Sequence, residues 1–175
     1  RAAYYALINN IDMQIGRLMS ALGRQGLENT LIMFVADHGE MLGDHHLFGK
    51  CEPYEASARV PYFIRPPSPA GHAQGSRETL GLCRDEPVGL QDVMPTLLDA
   101  AGVELPASCT GRSLIPLVRG ERPKWRDVIH GEHSGYRRYE EGFHYLVDGR
   151  EKYAWRRQTG KENLFDLETD PNEEH

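Results

Sequence analysis

The stretch Asp37-His38-Gly39-Glu40-Met41-Leu42-Gly43-Asp44-His45-His46-Leu47-Phe48-Gly49-Lys50 gathers the side chains of this sequence best able to do chemistry. A carboxylate and an imidazole, Asp37 and His38, stand next to each other. Together they suit a divalent cation. Adjacent side chains diverge along a strand, but at a strand's end the chain can bend and let both converge on one ion. Gly39 follows and permits close backbone approach. His45 and His46 lie in the same loop, where a histidine near an anion can act as a proton donor or acid. Taken alone, an Asp-His pair reads first as solvated or capping residues on a surface loop.

The elements around this stretch must place it. Apolar residues at Tyr4, Leu7, Ile8, Ile11, Ile15, Leu18, Met19 and Leu22 have helical spacing and form one stripe over 4–25. Gly23 and Gly26 are the expected stops. Leu31 to Ala36 is a short continuous apolar run, the pattern of a strand buried on both faces in a parallel sheet. Asp37 therefore falls at the strand's C-terminal end, where α/β sheets place their sites. Pro53 to Ser57 can open a short helix, and Val60 to Ile64 reads as a further strand. Residues 65–77, rich in Pro, Gly and Ser, read as an exposed loop. Gln91 to Ala101 has a helical apolar face, with Gly102 as its stop; Pro95 inside it must lie near the first turn or make a kink.

The texture changes after about residue 120. Val128 to His130, Phe143 to Val147, Lys152 to Arg156 and Asn163 to Leu167 read as short strands, with Asp148-Gly149 as a hairpin turn. The expected architecture is α/β over 1–120 and a small antiparallel subdomain over 121–175.

Of the 175 residues, 39% are hydrophobic and 26% charged, as in a globular chain, and the formal net charge is −6. That balance argues against general nucleic-acid binding. No apolar run approaches the roughly 20 residues of a membrane span. The three cysteines, Cys51, Cys83 and Cys109, have no CxxC spacing, so neither a disulfide framework nor a zinc ribbon is indicated. Free thiols favour a reducing, cytoplasmic setting over a periplasmic or secreted one. The opening at Arg1, directly into a helix, suggests that the natural N-terminus and any targeting signal lie upstream.

Phe34-Val35-Ala36-Asp37-His38-Gly39-Glu40-Met41-Leu42-Gly43-Asp44-His45, then Lys50, Pro53-Tyr54-Glu55 and Arg59-Val60-Pro61, closely resembles the sulfatase pattern of the alkaline-phosphatase superfamily. Tyr4-Tyr5-Ala6, Ile11-Asp12 and Ile15-Gly16-Arg17 resemble the preceding helix of that family. Leu164-Phe165-Asp166-Leu167 with Asp170-Pro171 resembles its C-terminal signature. The resemblance covers nearly the whole chain and is weakest over 103–150.

The resemblance implies part of a mostly parallel sheet flanked by helices, plus a small C-terminal α+β subdomain. It implies that Asp37 and His38 supply two ligands to a divalent metal, most often Ca²⁺, with further carboxylates from upstream. It also implies that Lys50 contacts the sulfate oxygens. The substrate would be a small-molecule or saccharide sulfate ester, attacked by a hydrated formylglycine aldehyde while the metal holds the oxyanion. Metal and ammonium would oppose the negative charge that builds as the S–O bond breaks.

His45 reads as a surface residue or as a further catalytic candidate, whereas Arg59 is expected to pair with Glu55 one helical turn away. Glu132 and His133 read as a solvated loop or as pocket-mouth residues. Trp125 and Trp155 read as packing residues.

The family's formylglycine arises from a Cys/Ser-x-Pro-x-Arg motif. Cys51-Glu52-Pro53-Tyr54-Glu55 has Glu55 where Arg is needed and follows the Asp-His pair instead of preceding it. The nucleophile is therefore expected upstream. The chain alone is expected to be inactive, to bind metal weakly and to self-associate. Two other readings stand beside the sulfatase one: a phosphonate monoesterase or phosphodiesterase on the same scaffold, and a non-catalytic anion-binding or protein-binding module.

Overall fold

In a computed structural model, residues 1–27, 29–67, 81–135 and 138–175 are described. Most of the loop expected over 65–77 lies outside them. The first helix, α1, runs Ala2–Arg24. Gly23 stays helical and Gly26 makes the stop. At a φ of 65°, Gly26 adopts the left-handed turn that lets its N–H reach Gly23 O and the N–H of Leu27 reach Leu22 O. No residue of α1 is buried. Its stripe, including Leu7, Ile11 and Leu18, is left uncovered by the rest of the described chain.

Strand β1 (Ile32–Val35) pairs with β2 (Tyr62–Arg65), with Ile32 opposite Arg65 and Val35 opposite Tyr62. This one pairing within the chain is antiparallel. The 26 residues between the two strands are spent on the site loop and a single helical turn, α2 (Glu55–Ala58). The chain doubles back instead of making the helical crossover that a parallel neighbour needs. Nor is β1 buried on both faces: Phe34 and Phe63 pack ring to ring at 6.1 Å and both remain exposed.

Helix α3 (Val93–Ala100) follows a short 3₁₀ turn, and Pro95 sits in its first turn, where no N–H is required. Asp92, fully buried, holds this region together. Its carboxylate accepts two bonds from the Arg126 guanidinium, at 2.6 and 2.8 Å, and the N–H groups of Gly89 and Arg112. Every lone-pair direction is used, as a buried carboxylate requires. Helix α4 (Ile115–Val118) follows, with Ile115 and Leu117 buried.

The C-terminal strands form an antiparallel meander: β3 (Ile129–His133), β4 (Phe143–Val147), β5 (Glu151–Arg156) and β6 (Glu162–Asp166). Asp148 turns β4 into β5 by accepting the N–H groups of Arg150 and Glu151. Alternation sorts the two faces. Ile129, Phe143, Lys152, Ala154 and Phe165 share the inner face and are buried. His130, Glu132, His144, Leu146, Trp155 and Leu164 share the outer one.

Candidate active site

Asp37 lies two residues past the end of β1. The N–H of His38 donates to Asp37 Oδ1 at 3.1 Å, which folds the carboxylate back beside the imidazole. His38 Nδ1 is 2.7 Å from Gly39 O. A carbonyl only accepts, so Nδ1 carries the proton and Nε2 keeps its lone pair. That nitrogen faces Asp37 Oδ2 at 3.6 Å and Lys50 Nζ at 2.8 Å. Asp37, His38 and Lys50 thus converge on one point, on the solvent side of the strand end. A carboxylate oxygen and an imidazole lone pair at this separation can share one divalent cation.

Gly39 holds the pair against α2. Its N–H donates to Ser57 O at 2.8 Å, and a Cβ at this position would lie 2.1 Å from Ala56 O. The close approach is therefore to the backbone of α2.

Lys50 reaches His38 because the loop before it is closed on itself. Glu40 accepts the N–H groups of Gly49 at 2.6 Å and Leu42 at 3.2 Å. Met41 N–H donates to Gly49 O, and its side chain is fully buried. Gly43 and Gly49, with φ of 100° and 82°, make the reversals that this closure needs.

The inner face of the C-terminal sheet grips the residues after Lys50. Arg156 Nη2 donates to Glu52 Oε2 at 2.7 Å, and its guanidinium lies 5.6 Å over the Tyr54 ring. Burial pulls the Arg156 pKa down, but hydrogen bonds with Glu52 and Tyr54 outweigh it and leave it raised. Lys152 Nζ donates to Pro53 O at 2.9 Å and lies 2.6 Å from Glu55 Oε1. Its contact with Glu173 Oε1, at 2.9 Å, is an ion pair without hydrogen-bond alignment. A cleft of about 400 Å³ opens between loop and sheet, lined by Lys50, Glu52, His133, Glu141, Arg156 and Gln158 among others.

The other expected residues fall as follows. His45 is not brought to the convergence point. Its ring stacks on Tyr54 at 3.9 Å and its Nε2 meets Asn172 O at 2.9 Å, so it anchors the chain end to the loop. Arg59 pairs with Glu55 at 3.7 Å, one helical turn away. Glu132 and His133 are strand residues facing opposite ways, with His133 at the cleft. Trp125 packs under Arg126 and Arg112 and donates to Pro87 O, while Trp155 packs on His144. Cys51 lines the cleft, but Glu55, four residues on, is spent on Lys152 and Arg59. Arg156 is the cleft residue that sequence reasoning missed, since its partner Glu52 lies 104 positions away.

The sulfatase family model matches residues 1–103, more than half of the chain. The chain belongs to the sulfatase family of the alkaline-phosphatase superfamily. It is 48% identical over 174 residues to an arylsulfatase of Clostridium perfringens, covering 99% of this chain and 34% of that protein. Its fold is similar to the phosphonate monoester hydrolase of Agrobacterium radiobacter, with a TM-score of 0.82 and 31% identity over 97% of this chain and 35% of that one. It is also similar to BT4656, solved in complex with its substrate D-glucosamine-2-N,6-O-disulfate. There the TM-score is 0.76 and the identity 26%, over 95% of this chain and 33% of that one. The chain thus spans about a third of the length of the relatives it matches. Sulfatases generally use a divalent metal and a formylglycine. Asp37 and His38 fit the first requirement as two donors of a larger ligand set. No Cys/Ser-x-Pro-x-Arg segment in the 175 residues meets the second.

Proposed function

We propose that this chain supplies the Asp-His metal ligands and the sulfate-contacting lysine of a sulfatase that hydrolyses small-molecule or saccharide sulfate esters. The convergence of Asp37, His38 and Lys50 supports this reading most directly. Asp37 Oδ2 and His38 Nε2 would hold the metal, calcium in this proposal, with further oxygen ligands and the formylglycine coming from outside these residues. The bound ion supplies Lewis-acid stabilisation of the anionic oxygens. Gly39 O fixes the His38 tautomer so that Nε2 can ligate. Lys50 presents its ammonium to a sulfate oxygen and opposes charge as it develops. His133 and Arg156 stand at the cleft, where a substrate's leaving group would extend. His45 has no role in this proposal.

The likeness to a phosphonate monoester hydrolase supports a second reading, phosphonate or phosphate ester hydrolysis, because both substrates present tetrahedral oxyanions. The test is the ratio of kcat/KM for aryl sulfate and aryl phosphonate esters in the full-length protein, beside Asp37→Asn. A sulfate preference abolished by Asp37→Asn along with the bound metal is expected. A phosphonate preference selects the second reading, and full metal occupancy in Asp37→Asn removes that residue from the site.

A further inference from the structure

The outer face of the C-terminal sheet carries a cluster that the sulfatase reading does not use. His130 and Glu132 alternate with Gly131 along β3, and His144 stands directly opposite Glu132 on β4. A Cβ on Gly131 would lie 2.1 Å from the Tyr145 ring on the inner face. Strand alternation puts His130 and Glu132 together on the outer face. Trp155, opposite His144 on β5, stacks against its ring with centroids 5.7 Å apart. His130 Nε2 is 3.1 Å from His144 Nδ1, and Glu132 Oε2 is 3.6 Å from the same nitrogen. One donor atom from each of the three lies within 4.8 Å of the others.

From this geometry we infer a second metal site, His130–Glu132–His144, that takes a borderline divalent ion of the zinc class. Two ligands at about 2.0–2.1 Å from a tetrahedral zinc stand about 3.3–3.4 Å apart, and the edges of 3.1 and 3.6 Å bracket that value. A single proton on His144 Nδ1 serves only one of its two neighbours well, whereas a cation at this point satisfies all three donors. Two imidazoles and one carboxylate select zinc, cobalt, nickel or copper over calcium, which prefers oxygen. The ligands come from adjacent paired strands, so the ion would cross-link β3 to β4. The exposed fourth position would hold water. This site shares no residue with Asp37, His38 and Lys50 and does not depend on what they do.

The test is Zn²⁺ titration by calorimetry into the metal-stripped full-length protein resupplied with excess Ca²⁺. A parallel Co²⁺ titration follows the visible spectrum and Trp155 fluorescence. One equivalent of zinc is expected to bind with the calcium present. Affinity should fall by more than about tenfold in His144→Asn and in His130→Asn. It should fall less in Glu132→Gln and not at all in Cys51→Ser or Lys50→Ala. Cobalt should quench Trp155 without thiolate charge-transfer bands. The three substitutions are on exposed strand positions, and circular dichroism checks that each variant is folded. Unaltered zinc affinity in a folded His130→Asn/His144→Asn double variant, absence of zinc binding, or displacement of zinc by calcium overturns the inference.

Discussion

Lys50 Nζ lies 2.8 Å from His38 Nε2, against the lone pair that a metal would use. In the proposed site, a metal held by His38 Nε2 would replace this contact and free the Lys50 ammonium for a substrate oxyanion. The reach of Lys50 is set by the closed loop, where Glu40 pins Gly49 and Leu42.

In the full-length protein, Lys50→Ala is expected to lower kcat/KM for sulfate esters by more than roughly tenfold, about 1.4 kcal/mol of transition-state binding. Metal affinity should hold or rise, since a neighbouring positive charge has gone. Steady-state kinetics with metal titration checks both, and an unchanged kcat/KM would mark Lys50 as a surface residue.

Gly39→Ala is expected to be costly although it adds one methyl group. The new Cβ would fall 2.1 Å from the backbone oxygen of Ala56, which no side-chain rotation relieves. Overpacking of this kind costs about 1–3 kcal/mol. The shift lands on the residue next to His38, so metal affinity should fall with stability. Denaturant unfolding and metal titration of the same variant check the pair. Unaltered stability would mean that α2 is free to move away.

Lys152→Met should be among the most damaging changes in the C-terminal sheet. Lys152 has no exposed surface and compensates Glu55 and Glu173. Removing one partner from a buried ion cluster costs roughly 3–5 kcal/mol, because uncompensated charge stays inside. Adding Glu173→Gln to Lys152→Met should restore part of the loss. A double-mutant cycle read by thermal unfolding checks this, and additive effects would show that the two side chains are not coupled.

Local pattern made much of this legible in the sequence. The spacing of Leu7, Ile11 and Leu18 specifies α1, and the alternation from Phe143 to Arg156 around Asp148-Gly149 specifies the β4–β5 hairpin. The residues after β1 carried the family resemblance because the motif is contiguous. Contacts distant in sequence were not legible. An apolar run such as Leu31 to Ala36 does not encode which way its partner runs. Nothing local marks Lys152 as buried, because Pro53, Glu55 and Glu173 reach it from distant positions. His45 reads as a loop histidine beside a metal motif, and only Asn172, 127 positions later, shows where its ring is held. The outer-face triad was equally hidden, since His144 joins His130 and Glu132 only through the register of β3 on β4.

Expressed as a 175-residue polypeptide, the chain is expected to hydrolyse no sulfate ester, to bind calcium weakly or not at all, and to self-associate. Asp37 and His38 offer two donors, whereas Ca²⁺ commonly takes about six to eight oxygen ligands. The sequence carries no formylglycine motif to supply the nucleophile. Association has a separate cause. α1 buries no residue, leaving Leu7, Ile8, Ile11 and Leu18 exposed, and Phe34 and Phe63 are exposed on β1 and β2. Apolar surface of this extent is costly in water, and a second copy would cover it. Among the described residues, the two exposed strands also leave unpaired edges for pairing between copies. Sedimentation velocity over a concentration series, with calorimetric calcium titration of the same sample, checks these expectations together. A monomer throughout the series that binds Ca²⁺ in the micromolar range, about 8 kcal/mol of binding free energy, would show that the chain holds far more of the metal site than Asp37 and His38.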